Sequence, residues 1–311
     1  MCAVDTSGDP SRDAALVVVG SANRDVTVEV RRRPGPGETV FGGDTRTGTG
    51  GKGANVAVAA ARLGATVAMV GSVGKDVAGD ELLASLREAG VGTGLMRRGE
   101  RPSGAAYITV TPDGENSIIV SPGANAALGA EDVHAAREML AGADVLCTVL
   151  EVPLEAVRAA VCVAVASGVR VVLNASPVVT LDAATMAAAD PLIVNTHEAR
   201  WLLGRQDDAA VDPAGSAREL REAGPRSVVV TCGARGAVVA DGSGEITWVR
   251  AEPVTVVDTT GAGDAFSGAL AARLAAGAEL VVAAEHAARV AAISVTVRGT
   301  QDSYPTSADV P

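Results

Sequence analysis

The sequence predicts an α/β fold: a central, mostly parallel sheet with helices on both faces, plus a small β-sheet of a different kind. Three observations carry this. Short uninterrupted apolar runs of strand length recur along the chain, as parallel strands buried on both faces require. They alternate with longer, often Ala-rich stretches that end on glycine, the mark of a helix C-terminus. Two further segments alternate apolar and polar residues beside Pro/Gly turns, which suits a sheet with one face in solvent. With 311 residues and 48% hydrophobic content the chain can bury a large core, and α/β proteins of this size often form one domain.

Residues 15–20 read as the first buried strand, ending at Gly20 and Ser21. Residues 55–63 read as a helix stopped by Gly64, 66–70 as a strand, and 80–89 as a helix stopped by Gly90. The rhythm continues with strands at 144–148, 170–173, 192–194 and 227–231, and helices at 154–166, 198–203 and 217–223. Such an alternation builds a sheet covered on both sides. Residues 26–31 and 39–41 flank the turn Pro34-Gly35-Pro36-Gly37, and 106–110 and 117–120 flank Pro112-Asp113-Gly114, so both pairs read as hairpins. Together, at about 26–47 and 104–121, they would make a lid over a site or a flap packed on the core, with a face that a second copy could cover. Residues 261–275 and 280–297 read as two closing helices, and 298–311 as a loop and loose tail.

Composition excludes several functions. A net charge of −11 leaves no electrostatic footprint for nucleic acid, and an aromatic content of 2% leaves little for stacking on single strands. Only Lys52 and Lys75 are lysines, which makes the position of Lys52 informative. Cys2, Cys147, Cys162 and Cys232 form no CxxC pair and read as buried free thiols of a reducing compartment. The polar stretch 1–13 has no signal-peptide core, and no apolar run is long enough to span a membrane, so a soluble cytoplasmic protein is expected.

The most informative stretch is Asp258-Thr259-Thr260-Gly261-Ala262-Gly263-Asp264-Ala265-Phe266. It reads as a glycine turn opening into a helix, where unpaired N–H groups and the helix dipole favour an anion. An acid placed there, where an anion would bind, is an odd choice unless it has a job, such as taking a proton from a nucleophile beside a phosphate. Gly48-Thr49-Gly50-Gly51-Lys52-Gly53-Ala54-Asn55 matches G-x-G-x-x-G by letter, but polar residues precede it where a dinucleotide fold needs a buried strand. It is not a P-loop either, because Gly53 follows Lys52 in place of Ser or Thr. What remains is either an ordinary tight turn or a close backbone approach, with an ammonium and an amide, suited to a neutral polyol.

Other candidates follow predicted strand ends, where open α/β sheets bind ligands. Asn23 and Asp25 could bind vicinal hydroxyls or form an Asx turn. Glu151 could be a ligand contact or a solvated carboxylate. Asn195 and Glu198 have the spacing of a capping box, and could also bind Mg²⁺ through water. Thr231-Cys232-Gly233-Ala234-Arg235-Gly236 could be a hairpin or a nucleotide contact. His134, His197 and His286 pair with no Ser or Cys nucleophile, so hydrolase triads are unsupported.

Taken together, these motifs resemble the ribokinase-like (PfkB) carbohydrate kinases over about residues 15–305. The resemblance rests on 50–55 and 258–266, with Gly20 to Asp25, Pro36-Gly37-Glu38-Thr39-Val40, Gly123-Ala124-Asn125-Ala126-Ala127-Leu128 and the loop Gly299-Thr300-Gln301-Asp302-Ser303-Tyr304-Pro305 in support. It implies an ATP-dependent kinase acting on the hydroxymethyl group of a small sugar, D-ribose first, with deoxyribose, a ketohexose or a nucleoside as alternatives. A non-catalytic sugar or nucleotide sensor is the rival of another class. Asp264 would be the base, and Gly261, Ala262 and Gly263 the anion hole. Asn23, Asp25, Gly51, Lys52, Asn55 and Glu151 would hold the sugar, with Val120 as an apolar wall. Asn195, Thr231, Gly233 and Gly236 would line the ATP site, with His286 near the adenine. Asn195 and Glu198 would organise Mg²⁺. A monovalent cation, K⁺, would sit by Asp258, Thr260, Ser294, Val297, Gly299 and Ser303. Apart from the resemblance, the half-apolar small sheet leaves a face needing cover, so a homodimer through the lid sheet is expected.

Overall fold

The computed structural model describes residues 14–113, 115–205 and 212–311. The polar stretch 1–13, Cys2 and Gly114 of the predicted 112–114 turn lie outside the described residues. The chain begins with β1 (Leu16–Val19), then β2 (Asn23–Glu29) and β3 (Arg46–Gly50), before helix α1 (Lys52–Arg62) leads to β4 (Val67–Gly74). Helix α2 (Val77–Glu88) and β5 (Met96–Gly99) precede β6 (Gly104–Val110) and β7 (Asn116–Ser121). Short helices α3 (Ala130–Ala135) and α4 (Arg137–Gly142) lead to β8 (Val145–Val149), α5 (Leu154–Ser167) and β9 (Arg170–Asn174). Next come α6 (Ala183–Ala188), β10 (Ala189–Asn195), α7 (Thr196–Leu202), α8 (Pro213–Glu222) and β11 (Val228–Thr231). The antiparallel pair β12 (Ala237–Ala240) and β13 (Ile246–Val249) precedes α9 (Ala262–Ala275) and α10 (Leu280–Ser294).

Among the described residues, nine strands form the main sheet in the order β13-β12-β11-β10-β9-β8-β1-β4-β5, parallel from β11 to β5. The four residues of β1 explain why its sequence shows no alternation. Leu16 and Val18 enter one apolar cluster, with α1, α9 and α10, while Val17 and Val19 enter the other, with α3, α4, α5 and α8. Both faces are covered, so neither can be polar. Alanine dominates the buried faces of α1, α9 and α10, which accounts for a core almost without aromatics. Among the described residues no helix is long and apolar enough to cross a membrane.

The second sheet has the order β3-β2-β6-β7, with β2 and β6 parallel and each outer pair antiparallel. Here the structure corrects the expected first hairpin. Its return strand is β3 at 46–50; residues 39–41 form no strand, and Gly42 makes only an isolated bridge to Val30. β2 begins at Asn23, not at 26, because its first inward residues, Asn23 and Asp25, are polar and hide the strand's apolar period. Similarly α1 starts at Lys52, three residues earlier than expected.

The C-terminal segment is not a loose tail. Gln301, Ser303 and Tyr304 are buried, and Arg62 Nη1 donates to the carbonyls of Gln301 (2.7 Å) and Tyr304 (2.9 Å). α10 ends at Ser294, short of 297. Cys147 is buried, and burial pushes its thiol up to about 12. Cys162 is exposed on the outer face of α5, against the expectation, and Cys232 is half-buried.

Candidate functional site

The carboxyl ends of the parallel strands converge on one edge of the main sheet. Asn174, Asn195 and Thr231 end β9, β10 and β11, Ser21 lies just beyond β1, and Glu151 just beyond β8. α9 opens at the same edge. Its N-cap, Gly261, sits at φ 75°, and a Cβ there would meet Thr300 Cγ2 at 2.4 Å and Tyr304 Oη at 2.6 Å. Only glycine makes that turn without strain. A cavity of 210 Å³ lies between, lined by Lys52, Asn174, Asn195, Glu198, Thr231, Gly261, Gly263 and Asp264 among others.

Asp264 is a buried acid of this cavity, 6% exposed, and Glu198 is a second, 7% exposed. Asp264 Oδ2 accepts from Asn55 Nδ2 at 2.9 Å, and Lys52 Nζ stands 3.9 Å from Oδ1. Burial raises its carboxyl, while Lys52 and the Asn55 hydrogen bond pull the other way. The Lys52 ammonium is raised chiefly by Asp264. A carboxylate in this setting can accept a proton from a bound hydroxyl. The first-turn N–H groups of α9, at Gly263 and Asp264, have no intrahelical acceptor, and Gly263 lines the cavity. Ala262 does not; its N–H donates to the Thr259 carbonyl at 3.3 Å.

Next to Asp264 the small sheet supplies a polar face. Gly50 pairs with Asn23, Gly48 with Asp25, and Ala106 pairs with both Asp25 and Val120. Cross-strand partners share a face, so Val120, half-exposed, belongs to the same row as Asp25. The glycines keep that face open: a Cβ on Gly50 would lie 2.3 Å from Asp25 Oδ2. Asn23 Oδ1 accepts from Asn125 Nδ2 at 2.7 Å. Glu151 Oε2 accepts from Ser21 Oγ at 2.6 Å and from Lys52 N at 3.0 Å, which fixes the start of α1. Gly51, at φ 91°, turns β3 into that helix.

Burial, with the negative charges of Glu151 and Asp264, raises the Asp25 carboxyl to about 7. The unfolded carboxyl ionises near 3.8, so the folded form binds the extra proton between there and about 7. Stability therefore falls as pH rises through that window, and the ionised form carries the full cost above it. Asp25→Asn removes this cost. Its gain in melting temperature over the parent is expected to be larger at about pH 8 than at about pH 5, together with weaker ligand binding. Equal gains at the two pH values would contradict a buried carboxylate at this position.

On the opposite side of Asp264, Asn195 and Glu198 form the capping box that their spacing predicts. Asn195 Oδ1 accepts from Glu198 N at 2.8 Å, and Glu198 Oε2 accepts from Asn195 N at 2.7 Å. Both also line the cavity, so the cap and an open position coexist. Thr231 lines it too, and the turn after it places Gly233 at φ 57° and Gly236 at φ 92°. His286 is not brought to this site. It stands on α10 beside a separate cavity of 280 Å³ with Leu63, Arg273 and Ser307, because α10 packs on α9 and sets His286 near the C-terminal end of that helix, away from its N-terminus.

Asp258 ties the loop before α9 to the loop after α10. Its Oδ1 accepts from Thr260 N and Oγ1, and its Oδ2 from Gly299 N at 3.1 Å. Burial opposes ionisation of Asp258, but the hydrogen bonds from Thr260 and Gly299 outweigh it and hold the carboxyl below its ordinary value. The Ser294 hydroxyl turns back to the Ala291 carbonyl, the Ser303 hydroxyl to the Thr300 carbonyl, and Val297 N donates to the Ser294 carbonyl at 3.4 Å.

Several site residues escaped the sequence reading. Asn174 ends its strand as Asn195 does, and that signal could have found it. Ser176 and Ser267 line the cavity with no local pattern to mark them. Gln301 and Tyr304 reach the site only through the fold of the C-terminal segment, with Tyr304 Oη donating to the Gly261 carbonyl at 3.1 Å.

Comparison with known proteins accords with this geometry. The profile of the "pfkB family carbohydrate kinase" matches residues 13–307. A ribokinase of Schizosaccharomyces pombe is 38% identical over 305 residues, covering 95% of this chain and 96% of that protein. A deoxyribokinase of Salmonella typhi is 36% identical over 292 residues, 93% of this chain and 95% of that one. The structure of Arabidopsis thaliana ribokinase complexed with ribose and ATP superposes with a TM-score of 0.86 at 30% identity, covering 95% and 97% of the two chains.

Proposed function

Because the chain belongs to the pfkB family of carbohydrate kinases, we propose that it is an ATP-dependent sugar kinase that converts D-ribose to D-ribose 5-phosphate. One observation carries the chemistry: a buried carboxylate, Asp264, at the N-terminus of α9, held by Asn55 and with Lys52 beside it in a polar cavity. Asp264 takes the proton of the sugar's hydroxymethyl group as its oxygen bonds to the γ-phosphorus. The bond from that phosphorus to the β–γ bridging oxygen breaks, and ADP leaves. Phosphoryl transfer asks mainly for alignment and charge stabilisation, and the N–H groups at Gly261 and Gly263 supply the second.

Asn23, Asp25, Gly51, Lys52, Asn55 and Glu151 hold the sugar, with Val120 closing over it from the small sheet. Asn195, Thr231, Gly233 and Gly236 face the nucleotide. Asn195 and Glu198 offer hard oxygen ligands, which fit Mg²⁺ held through water; the ion would offset the charge of the ATP phosphates. The oxygens about Asp258, Thr260, Ser294, Val297, Gly299 and Ser303 fit K⁺, whose charge would balance Asp258 beside the α9 turn. The whole chain works as one kinase domain in the cytoplasm, with the small sheet as a lid that excludes water. A second copy covers the sheet's outer face, where Tyr107 and Ile119 are exposed.

Deoxyribose is the second reading, favoured by the 36% identity to a deoxyribokinase. A coupled ADP-release assay over ribose, deoxyribose, ketohexoses and nucleosides decides between them. Ribose is expected to give the highest kcat/KM, with rates higher in K⁺ than in Na⁺. A higher kcat/KM for deoxyribose would overturn the ribose assignment, and equal rates in the two salts would remove the cation site.

A further inference from the structure

The hydrogen bond that holds Asp264 is the end of a chain that runs on beyond Asn55, buried at Asn55 and Gln301 and part-buried at Thr49 and Ser85. Asn55 Nδ2 donates to Asp264 Oδ2 at 2.9 Å, Gln301 Nε2 donates to Asn55 Oδ1 at 3.0 Å, and Thr49 Oγ1 donates to Gln301 Oε1 at 2.7 Å. Ser85 Oγ reaches the same Gln301 oxygen at 3.3 Å. Asn55 and Gln301 are each 5% exposed and Asp264 6%. The direction of this chain follows from its end. An ionised carboxylate only accepts, so Asn55 must turn its nitrogen to Asp264 and its oxygen to Gln301. Gln301 must then turn its nitrogen to Asn55, which leaves its oxygen for the two hydroxyls. Each amide therefore has one orientation that satisfies every partner.

The chain joins elements far apart in sequence. Thr49 lies on β3 of the small sheet, Ser85 on α2, Asn55 on α1 and Asp264 on α9. Gln301 sits in a turn whose own backbone is fixed by Arg62. Resting on the reading of Asp264 as the base, we infer that Gln301 is a positioning residue for it, and that Thr49 makes the base's orientation depend on where strand β3 sits. The relay holds Oδ2 and leaves Oδ1, on the Lys52 side, for the substrate hydroxyl. Without Gln301, Asn55 has a buried oxygen with no donor, and only its contact with Asp264 is left to hold the amide in place, so the hydrogen bond to Oδ2 loosens. A displacement of β3 removes the Thr49 contact, so the base is set when the small sheet is in place.

The charged and titratable groups facing Asp264 are Asp25 from β2, Lys52 from α1, Cys147 from β8, Glu151 beyond it, Glu198 from α7 and Tyr304 from the C-terminal segment. The test replaces none of them. Steady-state rates, pH profiles and melting temperatures are measured for the full chain carrying Gln301→Leu, Thr49→Val or Thr49→Ser, with Asp264→Asn alongside. Misalignment of a reacting group costs up to about 10²-fold. Gln301→Leu is expected to lower kcat about ten- to a hundred-fold with a much smaller change in sugar KM. Loss of the donated hydrogen bond also moves the acid limb of kcat to higher pH. Thr49→Val moves both in the same direction by less, and Thr49→Ser restores them.

A parental kcat and acid limb in both Gln301→Leu and Thr49→Val overturn the relay. So do losses that track melting temperature, with Thr49→Ser no better than Thr49→Val. If Gln301→Leu does not fold, the two Thr49 variants decide. A dead Asp264→Asn beside unmoved Gln301 and Thr49 variants refutes the relay alone. An active Asp264→Asn refutes the base assignment and the relay with it.

Discussion

Asp264→Asn is expected to lower turnover by about 10²–10⁴-fold, the usual worth of general-base assistance, while sugar affinity stays near that of the parent. The substitution keeps the size of the side chain and an oxygen that can still accept from Asn55 Nδ2. What it removes is the basic lone pair that receives the hydroxyl proton. It also removes the charge that Lys52 faces at 3.9 Å, so a modest change in affinity accompanies the loss of rate. The other sugar contacts proposed above, at Asn23, Asp25 and the α1 N-terminus, are left intact. Single-turnover rates and calorimetric titration with ribose separate the two effects. Turnover close to the parent's would sink the assignment of Asp264 as the base, whatever became of binding.

Gly51→Ala is expected to be the most damaging single methyl in the site. The residue sits at φ 91°, where an L-residue is strained by about 1–2 kcal/mol. Its Cβ would also lie 2.7 Å from Asn23 N, 2.8 Å from Ala22 Cα and 2.9 Å from Ser21 O. All three are backbone atoms, which cannot swing aside as a side chain can. Relief requires moving either β2 or the start of α1. Movement of α1 disturbs the Lys52 N to Glu151 hydrogen bond and carries Lys52 and Asn55 away from Asp264. A loss of at least about 2 kcal/mol in unfolding free energy, the range of a strained backbone residue, and a collapse of kcat/KM should appear together. Gly48→Ala is the control, because nothing stands within 4 Å of its Cβ. Matching urea midpoints for the two variants would refute the steric argument.

Much of the main sheet was legible in the sequence because its strands are covered on both faces. Leu16 to Val19 or Val145 to Val149 could be nothing but buried strands. The small sheet was harder. Its inward residues Asn23 and Asp25 are polar, one bonded to Asn125 and the other close to Glu151 and Asp264, so they break the apolar alternation that marks a strand. Gly48 and Gly50 did the same to β3, which read as part of a turn. The capping box of Asn195 and Glu198 was visible from spacing alone, since both partners lie within one helical turn.

The parts whose physics is local can be read along the chain: the glycine turn at Gly261 with Asp264 just inside α9, the turn at Gly51 that opens α1, and the capping box at Asn195. From these motifs came the family and the kind of chemistry. Tertiary structure alone decided what surrounds the carboxylate. Lys52 and Asn55 reach it across more than two hundred residues, and Gln301 reaches Asn55 across a similar span. It also placed His286 at another cavity and turned an expected loose tail into a buried brace for α1 and Gly261. The reason is that a hydrogen bond between distant segments leaves no period or spacing in the chain. Only the packing of α1, α9 and the C-terminal turn against one another brings its two ends together.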